Sequence, residues 1–470
     1  MKILRCINNQ SFNNVPYFSL EEIKKVHFIG IGGIGMSGIA RLMLAAGFKV
    51  TGSDLNDSEI TRGLKSEGAS VFLGHKAANL AHSDIVVVSS AIRPDNPELK
   101  RAYAVGVKVV PRARMLSKIA ELKKTVAVSG THGKTTTTSM TAAALHAAGA
   151  DATAVVGGIF KNAGSNIQLG KSEYFVIEAD ESDGSFLHFS PLVACVTNID
   201  SDHLDHYGNM ENLKNAFLAF ARKPPFYGTA ILCADDANVL EIAGKLAGPF
   251  LTYGLKNRSD WTAKDARALA FGGTAYTAVF KGVEKGRVRL GAPGRHNLLN
   301  SLCALAAGSY LGFDFKKLAA GIAGFKGVKR RLERLGAASG VEFFDDYGHH
   351  PTEIKATLDT AAELFKGRRL VVLFQPHRYS RTELLFRQFP QAFAGAGKVY
   401  VKDIYPAGEK PIAGVTSRLV LDGIKKAGIA ASEFPGALEL SKELRAGDVL
   451  ITVGAGDVWK TGAEVKLLLG

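Results

Sequence analysis

The chain has 470 residues, 58 Lys and Arg against 44 Asp and Glu for a net charge of +14, and 46% hydrophobic residues. At about 100–200 residues per domain this length predicts two or three domains, each with its own core, and the apolar share argues against long disorder or collagen-like structure. The basic balance decides little by itself: Lys and Arg are scattered apart from Lys329-Arg330-Arg331, and a positive field suits nucleotide anions as well as nucleic acid.

Cys6, Cys195, Cys233 and Cys303 show neither CxxC spacing nor a dense framework, so they read as buried small residues of a reducing compartment. Lys2 and Arg5 are followed by no apolar signal-like stretch, and no run of ~18 uncharged apolar residues occurs. A cytoplasmic protein without membrane insertion is expected.

In chain order, apolar strand-like runs at 26–29, 85–89, 125–129, 174–178, 192–197, 370–374 and 449–453 alternate with glycine turns and alanine-rich helical stretches. That is the βα grammar of parallel sheets, so an α/β fold is predicted. Fresh nucleotide-binding units begin at Val26 and Thr125, and glycines at 321, 324 and 327 interrupt a helical region before a new strand pattern at Val341. The predicted domains are 1–121, 122–325 and 326–470.

The first unit carries Gly30-Ile-Gly32-Gly33-Ile-Gly35-Met-Ser37 after a strand and at the mouth of a helix. Asp54 follows about twenty residues on, where the dinucleotide fingerprint has its ribose-binding carboxylate. An NAD site and a nucleotide-sugar diphosphate site both use such a cradle.

The second unit holds the strongest signal, Ser129-Gly130-Thr131-His132-Gly133-Lys134-Thr135-Thr136, again between a strand and a helix. Glycines let backbone N–H groups wrap a phosphate and the helix N-terminus adds partial positive charge. Lys134 is predicted to reach the β- and γ-phosphates of ATP and the Thr135 hydroxyl to hold Mg²⁺. The usual spacing has glycine where Val128 stands, so the loop is a shortened variant.

Two acidic stretches follow, Glu178-Ala-Asp180-Glu181-Ser-Asp183 and Thr197-Asn198-Ile-Asp200-Ser-Asp202-His203-Leu-Asp205-His206-Tyr207. Each comes after a strand, at the sheet edge where ligands gather in open α/β folds. Carboxylates there suit Mg²⁺, with an imidazole completing the shell; His203 and His206 also have a spacing that zinc accepts, but no third soft ligand is near.

These stretches, with GRHNLLN, RRLE, DDYGHHPTEI and QPHRYSRT, occur in an order that resembles the Mur ligases, ATP-dependent amide-forming enzymes of peptidoglycan precursor synthesis. The resemblance runs from about Lys25 to Gly456, and GIGGIGMSGIA resembles the branch that joins L-alanine to UDP-N-acetylmuramate. It implies a three-domain architecture: a Rossmann-like domain for the UDP moiety, a central P-loop ATPase domain and a Rossmann-like carboxyl-terminal domain. By motif, Thr135, Glu178 and His203 help hold Mg²⁺, Asn297 contacts adenine, and Arg331 and Asp346 contact the nucleotide. Gly33, Ser37, Asp54, Ser90 and, more weakly, His75 surround the UDP group. Tyr347, His349, Arg378 and Arg381 meet alanine and the phosphorylated intermediate, arginine because its planar fork matches a carboxylate or phosphate. Sister ligases carry a carbamylated lysine about fifteen residues after the motif histidine; here that place reads Asn215-Ala-Phe217-Leu218, as in the alanine-adding branch. A monomer or homodimer is expected.

Three other readings compete. A murein-peptide ligase joins a recycled tripeptide to the same sugar nucleotide, an NAD-dependent oxidoreductase leaves the phosphate loop unused, and an ATP-gated nucleic-acid binder needs clustered basic and aromatic residues that the sequence lacks.

Overall fold

Short runs of Val, Ile, Phe and Ala that are apolar on both faces pair only where helices cover them on either side, which is the condition of a parallel sheet. The computed structural model describes residues 20–80, 82–89, 91–157, 166–269 and 272–470, and most of its strand pairs are parallel. It divides into two compact units. One comprises the described residues up to Ser259 with Cys303–Asp314, and the other Asp260–Leu302 with Phe315–Gly470.

The first unit opens with five parallel strands, β1 (Lys25–Ile29), β2 (Lys49–Asp54), β3 (Ser70–Leu73), β4 (Ile85–Val88) and β5 (Lys108–Pro111), in the order β3-β2-β1-β4-β5. Val26, Phe28, Ile29, Ile85, Val86 and Val87 are fully buried in it. The strand order reverses between β1 and β4, and because the strands are parallel the glycine loop after β1 and the carboxyl ends of β2 and β3 lie along the same edge of the sheet.

The same unit continues with β6 (Lys124–Ser129), β7 (Thr153–Val155), β8 (Ile167–Gln168), β9 (Tyr174–Glu178), β10 (Val193–Val196), β11 (Thr229–Cys233) and β12 (Phe250–Tyr253), in the order β12-β11-β10-β6-β9-β7-β8. All these pairs are parallel except β7 with β8. Because β10 and β9 flank β6, the residues that follow these three strands are brought to one edge. Those are the phosphate loop and both acidic stretches.

In the second unit β13 (Trp261–Ala268), β14 (Thr274–Phe280) and β15 (Val283–Leu290) form an antiparallel meander. A second sheet contains β16 (Glu333–Ala338), β17 (Val341–Asp346), β18 (Leu370–Phe374), β19 (Lys398–Val401), β20 (Ala431–Glu433) and β21 (Val449–Val453), in the order β16-β17-β21-β18-β19-β20. It is parallel apart from β16 with β17. Its central strands β18 and β21 are buried along their whole length.

All seven strand runs predicted from sequence are strands here, shifted by at most one residue at an end. Among the described residues no helix is long and apolar enough to cross a membrane.

Candidate functional site

Gly130 and Gly133 take φ of +136° and +82°, a region that side chains rarely adopt. A Cβ on Gly130 would lie 2.0 Å from Thr197 Oγ1. That closeness lets the 197–200 segment brace the phosphate loop. Thr197 Oγ1 donates to the His132 carbonyl at 2.6 Å, the His132 amide donates to Asn198 Oδ1 at 2.8 Å, and the Asp200 amide donates to Thr131 Oγ1 at 2.9 Å. His132 Nε2 lies 3.1 Å from Asp200 Oδ2. The helix Lys134–Ala147 then starts at Gly133, with Thr135 and Thr136 almost buried.

Lys134 Nζ donates to the carbonyls of Gly130 and Thr131 at 2.7 and 3.0 Å and to Glu181 Oε1 at 3.0 Å, with Oε2 at 2.8 Å. Burial works against its charge, yet Glu181, Asp180 and Glu178 outweigh that and hold its pKa above the ordinary lysine value. The same burial pushes Glu181 up to about 7 against the pull of Lys134, and it raises Glu178 as well. Thr135 Oγ1 donates to Glu178 Oε1 at 3.0 Å, and the Gly157 amide donates to Oε2 at 2.6 Å. His203, in a left-handed conformation at φ 58°, points Nε2 toward Glu181 Oε1 at 3.7 Å and Asp202 Oδ2 at 3.6 Å. A buried, oxygen-rich cluster in which carboxylates outnumber the lysine fits a hard divalent cation. Phe217 and Leu218 are core residues, Phe217 lying edge-on to Phe186, so this stretch of helix adds no ligand to the cluster.

In the amino-terminal sheet the Asp54 carboxylate closes the glycine loop, accepting from the Gly32 amide at 2.9 Å and the Asn56 amide at 3.1 Å. A Cβ on Gly32 would stand 2.9 Å from Asp54 Oδ2. Gly33 caps the helix Ile34–Ala45, and the buried Ser37 hydroxyl donates back to the Ile34 carbonyl at 3.0 Å. His75 Nδ1 lies 2.8 Å from Ser53 Oγ. Ser90 lies outside the described residues.

In the second unit Asp346, Tyr347 and His349 stand at or just after the end of β17, Arg378 and Arg381 follow β18, Arg331 precedes β16, and Asn297 lies in the helix Arg295–Tyr310. Tyr347 stacks under the guanidinium groups of Arg330 and Arg331, 4.9 and 5.7 Å from its ring centre, and meets His349 edge-on. Asp346 is buried and accepts from the amides of Leu332 at 2.7 Å and Gly348 at 2.8 Å; burial lifts it to about 6 against Arg331 and these hydrogen bonds. Arg331 Nη1 reaches Glu353 Oε1 at 3.4 Å. Asn297, in the first turn of the helix Arg295–Tyr310, donates from Nδ2 to the Pro293 carbonyl just before that helix at 2.6 Å. Arg378, at φ 71°, pairs with Glu409 at 2.7 Å, which also accepts from Ser380. The buried Arg381 donates from Nη1 to His377 Nδ1 at 3.2 Å. Burial, then Arg381 and Arg378, push the His377 pKa down to about 4.

Four participants carry no individual role in the sequence reading: Glu181, His377, Glu409 and Arg330, the last, quoted there in its basic cluster, bound to Asp345 Oδ2 at 2.8 Å and the Gly454 carbonyl at 2.6 Å. Glu181 and His377 lie inside motifs quoted above, but nothing in their spacing marks them as the partners of Lys134 and Arg381. Glu409 carries no motif signal at all.

Family models match three consecutive parts of the chain: "Mur ligase family, catalytic domain" over residues 25–124, "Mur ligase middle domain" over 128–308 and "Mur ligase, glutamate ligase domain" over 330–456. The UDP-N-acetylmuramate–L-alanine ligase of Geobacter sp. (strain M21) is 48% identical over 453 residues, 95% of this chain and 98% of that relative. Among solved structures, the UDP-N-acetylmuramate-alanine ligase of Thermotoga maritima superposes with a TM-score of 0.76 at 31% identity, covering 94% of this chain and 98% of that one. A murein peptide ligase from Psychrobacter arcticus gives 0.66 at 26% identity, over 95% and 99%. With all three parts matched in order and the phosphate loop, acidic stretches and arginine cluster each set at strand ends, this chain belongs to the Mur ligase family.

Proposed function

We infer that this chain is an ATP-dependent carboxylate–amine ligase that joins L-alanine to UDP-N-acetylmuramate in cytoplasmic peptidoglycan precursor synthesis. The observation that carries this reading is the 48% identity to the Geobacter alanine ligase across 95% of the chain, against 26% for the murein peptide ligase. The division into domains at 1–121, 122–325 and 326–470 is part of the same proposal.

A free carboxylate is a poor acyl donor, so phosphate must become its leaving group. The sugar-acid carboxylate attacks the γ-phosphorus of ATP: the new O–P bond gives an acyl phosphate, and the bond to ADP breaks. The amine of alanine then attacks the acyl carbon, the tetrahedral adduct collapses with cleavage of the C–O bond to phosphate, and the amine proton is lost. No covalent protein nucleophile is needed. Gly130, Thr131, His132, Gly133 and Thr136 are assigned to the phosphates of ATP. Lys134 exchanges Glu181 for the phosphoryl oxygens and stabilises their charge. Thr135, Glu178 and His203 hold Mg²⁺, which when bound neutralises charge on the transferring phosphoryl group. Arg378 and Arg381 take the alanine carboxylate or the acyl phosphate in their planar forks, with Tyr347 and His349 beside them. Asn297, Arg331 and Asp346 are assigned to the nucleotide, and Gly33, Ser37, Asp54, His75 and Ser90 to the UDP group.

Phosphate release from ATP and Mg²⁺ in the presence of UDP-N-acetylmuramate tests the reading, with L-alanine, the tripeptide L-Ala-γ-D-Glu-diaminopimelate or no acceptor. Release with alanine and its loss when Mg²⁺ is omitted are the expected results. Release only with the tripeptide makes the protein a murein-peptide ligase, and release with neither overturns the ligase reading.

A further inference from the structure

Glu98 is fully buried in the amino-terminal sheet, where an ionised carboxylate persists only if hydrogen bonds replace its water. Local sequence puts it there. Asn96 caps the helix Pro97–Ala104, accepting from the amides of Glu98 at 2.9 Å and Leu99 at 3.2 Å, and Pro97 starts the first turn, so Glu98 is directed inward under the ends of β1 and β2. Both its oxygens are satisfied. Oε1 accepts from Asn79 Nδ2 at 2.6 Å and the Lys76 amide at 3.2 Å; Oε2 accepts from Ser53 Oγ at 2.5 Å, with His27 Nε2 at 3.5 Å and His75 Nδ1 at 3.6 Å. Burial disfavours its charge, but the hydrogen bonds of His27, Ser53 and Asn79 outweigh that and keep its pKa below the usual glutamate value.

The direction of the chain of hydrogen bonds follows from this. An ionised carboxylate can only accept, so the single hydroxyl proton of Ser53 goes to Glu98. Ser53 Oγ then has only lone pairs to offer His75 Nδ1, 2.8 Å away, and Nδ1 must carry the proton. In the neutral ring Nε2 is left as an acceptor, and it makes no hydrogen bond among the described residues.

The position of His75 says what that acceptor meets. On the reading proposed above, the diphosphate lies on the glycine loop after β1 and the ribose at Asp54 after β2. The base is the next group outward, at the end of β3, where Gly74 donates to the Asp54 carbonyl at 2.7 Å and His75 follows. Leu55 and Leu73, 68% and 63% exposed at the ends of β2 and β3, offer apolar surface to a flat ring. Uracil presents an N–H at N3, whereas cytosine presents a lone pair there.

We propose that Glu98, acting through Ser53, is a positioning residue that holds His75 protonated on Nδ1, so that Nε2 accepts the imide N–H of a uracil base and disfavours cytosine. The inference rests on the reading of the amino-terminal domain as the UDP-sugar site.

The test uses the full chain and two kinds of readout. Calorimetric titration of the wild type with UDP and with CDP gives UDP the tighter binding by about tenfold, the size of one well-placed hydrogen bond. Glu98→Gln, whose amide can donate to Ser53 and reverse the chain, brings that ratio close to one and raises KM for UDP-N-acetylmuramate about tenfold, with kcat and KM for ATP within about twofold. The second readout needs no buried substitution. In ¹⁵N-histidine spectra of the wild type, His75, assigned by its absence in His75→Gln, shows a protonated Nδ1 and a bare Nε2. An Nε2–H tautomer, an imidazolium, or an unchanged UDP-to-CDP ratio in Glu98→Gln overturns the Glu98 inference and leaves the ligase reading standing. Failure of the wild type to bind UDP at all overturns both.

Discussion

The phosphate-loop cluster of the first unit and the arginine cluster of the second are both dense in charge, and they are unbalanced in opposite directions. Around Lys134 stand Glu178, Asp180 and Glu181, and burial lifts Glu181 to about 7 even with the lysine ammonium 2.8 Å away. Around His377 stand Arg378 and Arg381, with Glu409 as the opposing charge, and the histidine falls to about 4. The first cluster has acid in excess and needs a cation; the second has base in excess and needs an anion. That asymmetry matches metal-assisted phosphoryl transfer in one and capture of carboxylate or phosphate in the other.

Removing the single cation from the acidic cluster is the severest way to break the comparison. Lys134→Ala is expected to reduce alanine-dependent phosphate release by about a thousandfold or more. Its melting transition should stay cooperative, because Glu181, which burial has already lifted to about 7, can take a proton when its partner goes. Near-normal release would remove Lys134 from the chemistry. Next in size is Gly130→Ala. Its Cβ would sit 2.0 Å from Thr197 Oγ1 at a φ that alanine resists, so the loop must move off its brace. A loss of about 1–3 kcal/mol in denaturant titrations and a large rise in KM for ATP are expected, and a variant as stable as the parent with unchanged KM would show that the loop is not held this way.

The two clusters also differ in how much of them could be read from sequence. Strand runs that are apolar on both faces, and the Gly130-to-Thr135 loop that joins a strand to a helix, declare themselves locally, because period and turn chemistry are local properties. That the acidic stretches meet the loop depends on β9 and β10 flanking β6, which no spacing reveals. Glu181 lies only three residues beyond Glu178, yet its pairing with Lys134 depends on burial. In the arginine cluster the motif supplied Arg378 and Arg381. Glu409, far along the chain on a loop after β19, is joined to Arg378 only by tertiary contact. Glu98 gave no signal at all. An isolated glutamate early in a helix reads as a first-turn acid in solvent, and only the cap at Asn96 and the tertiary contacts to Ser53 on β2, His27 on β1 and Asn79 turn it inward.

On the basic side, Arg381→Lys keeps the charge and loses the planar fork, so the comparison predicts a drop in kcat/KM for alanine of about tenfold to a hundredfold with KM for ATP little changed. An equal effect on both substrates would point to a general loss of packing.

The smallest effect is the pH dependence of stability that His377 gives to the basic cluster. His377 has a folded pKa of about 4, below its unfolded value of 6.5, with burial the main cause and Arg381 and Arg378 adding to it. Between these two values the unfolded chain binds a proton that the folded chain does not, so stability is full above about 6.5 and falls as the pH drops toward 4. Asp346, raised by burial to about 6, works in the opposite direction over part of that range. The difference between wild type and His377→Gln cancels Asp346, since both proteins keep it. That difference should favour the variant increasingly from pH 7 down to pH 4, by roughly 1–2 °C in Tm, because part of the ring remains in contact with solvent and water screens the arginine charges. A flat difference would mean that neither burial nor the arginines hold the proton off His377. The excess of positive charge in this cluster would then have to be neutralised by Glu409 alone, and the contrast with the acidic cluster would rest on the phosphate loop.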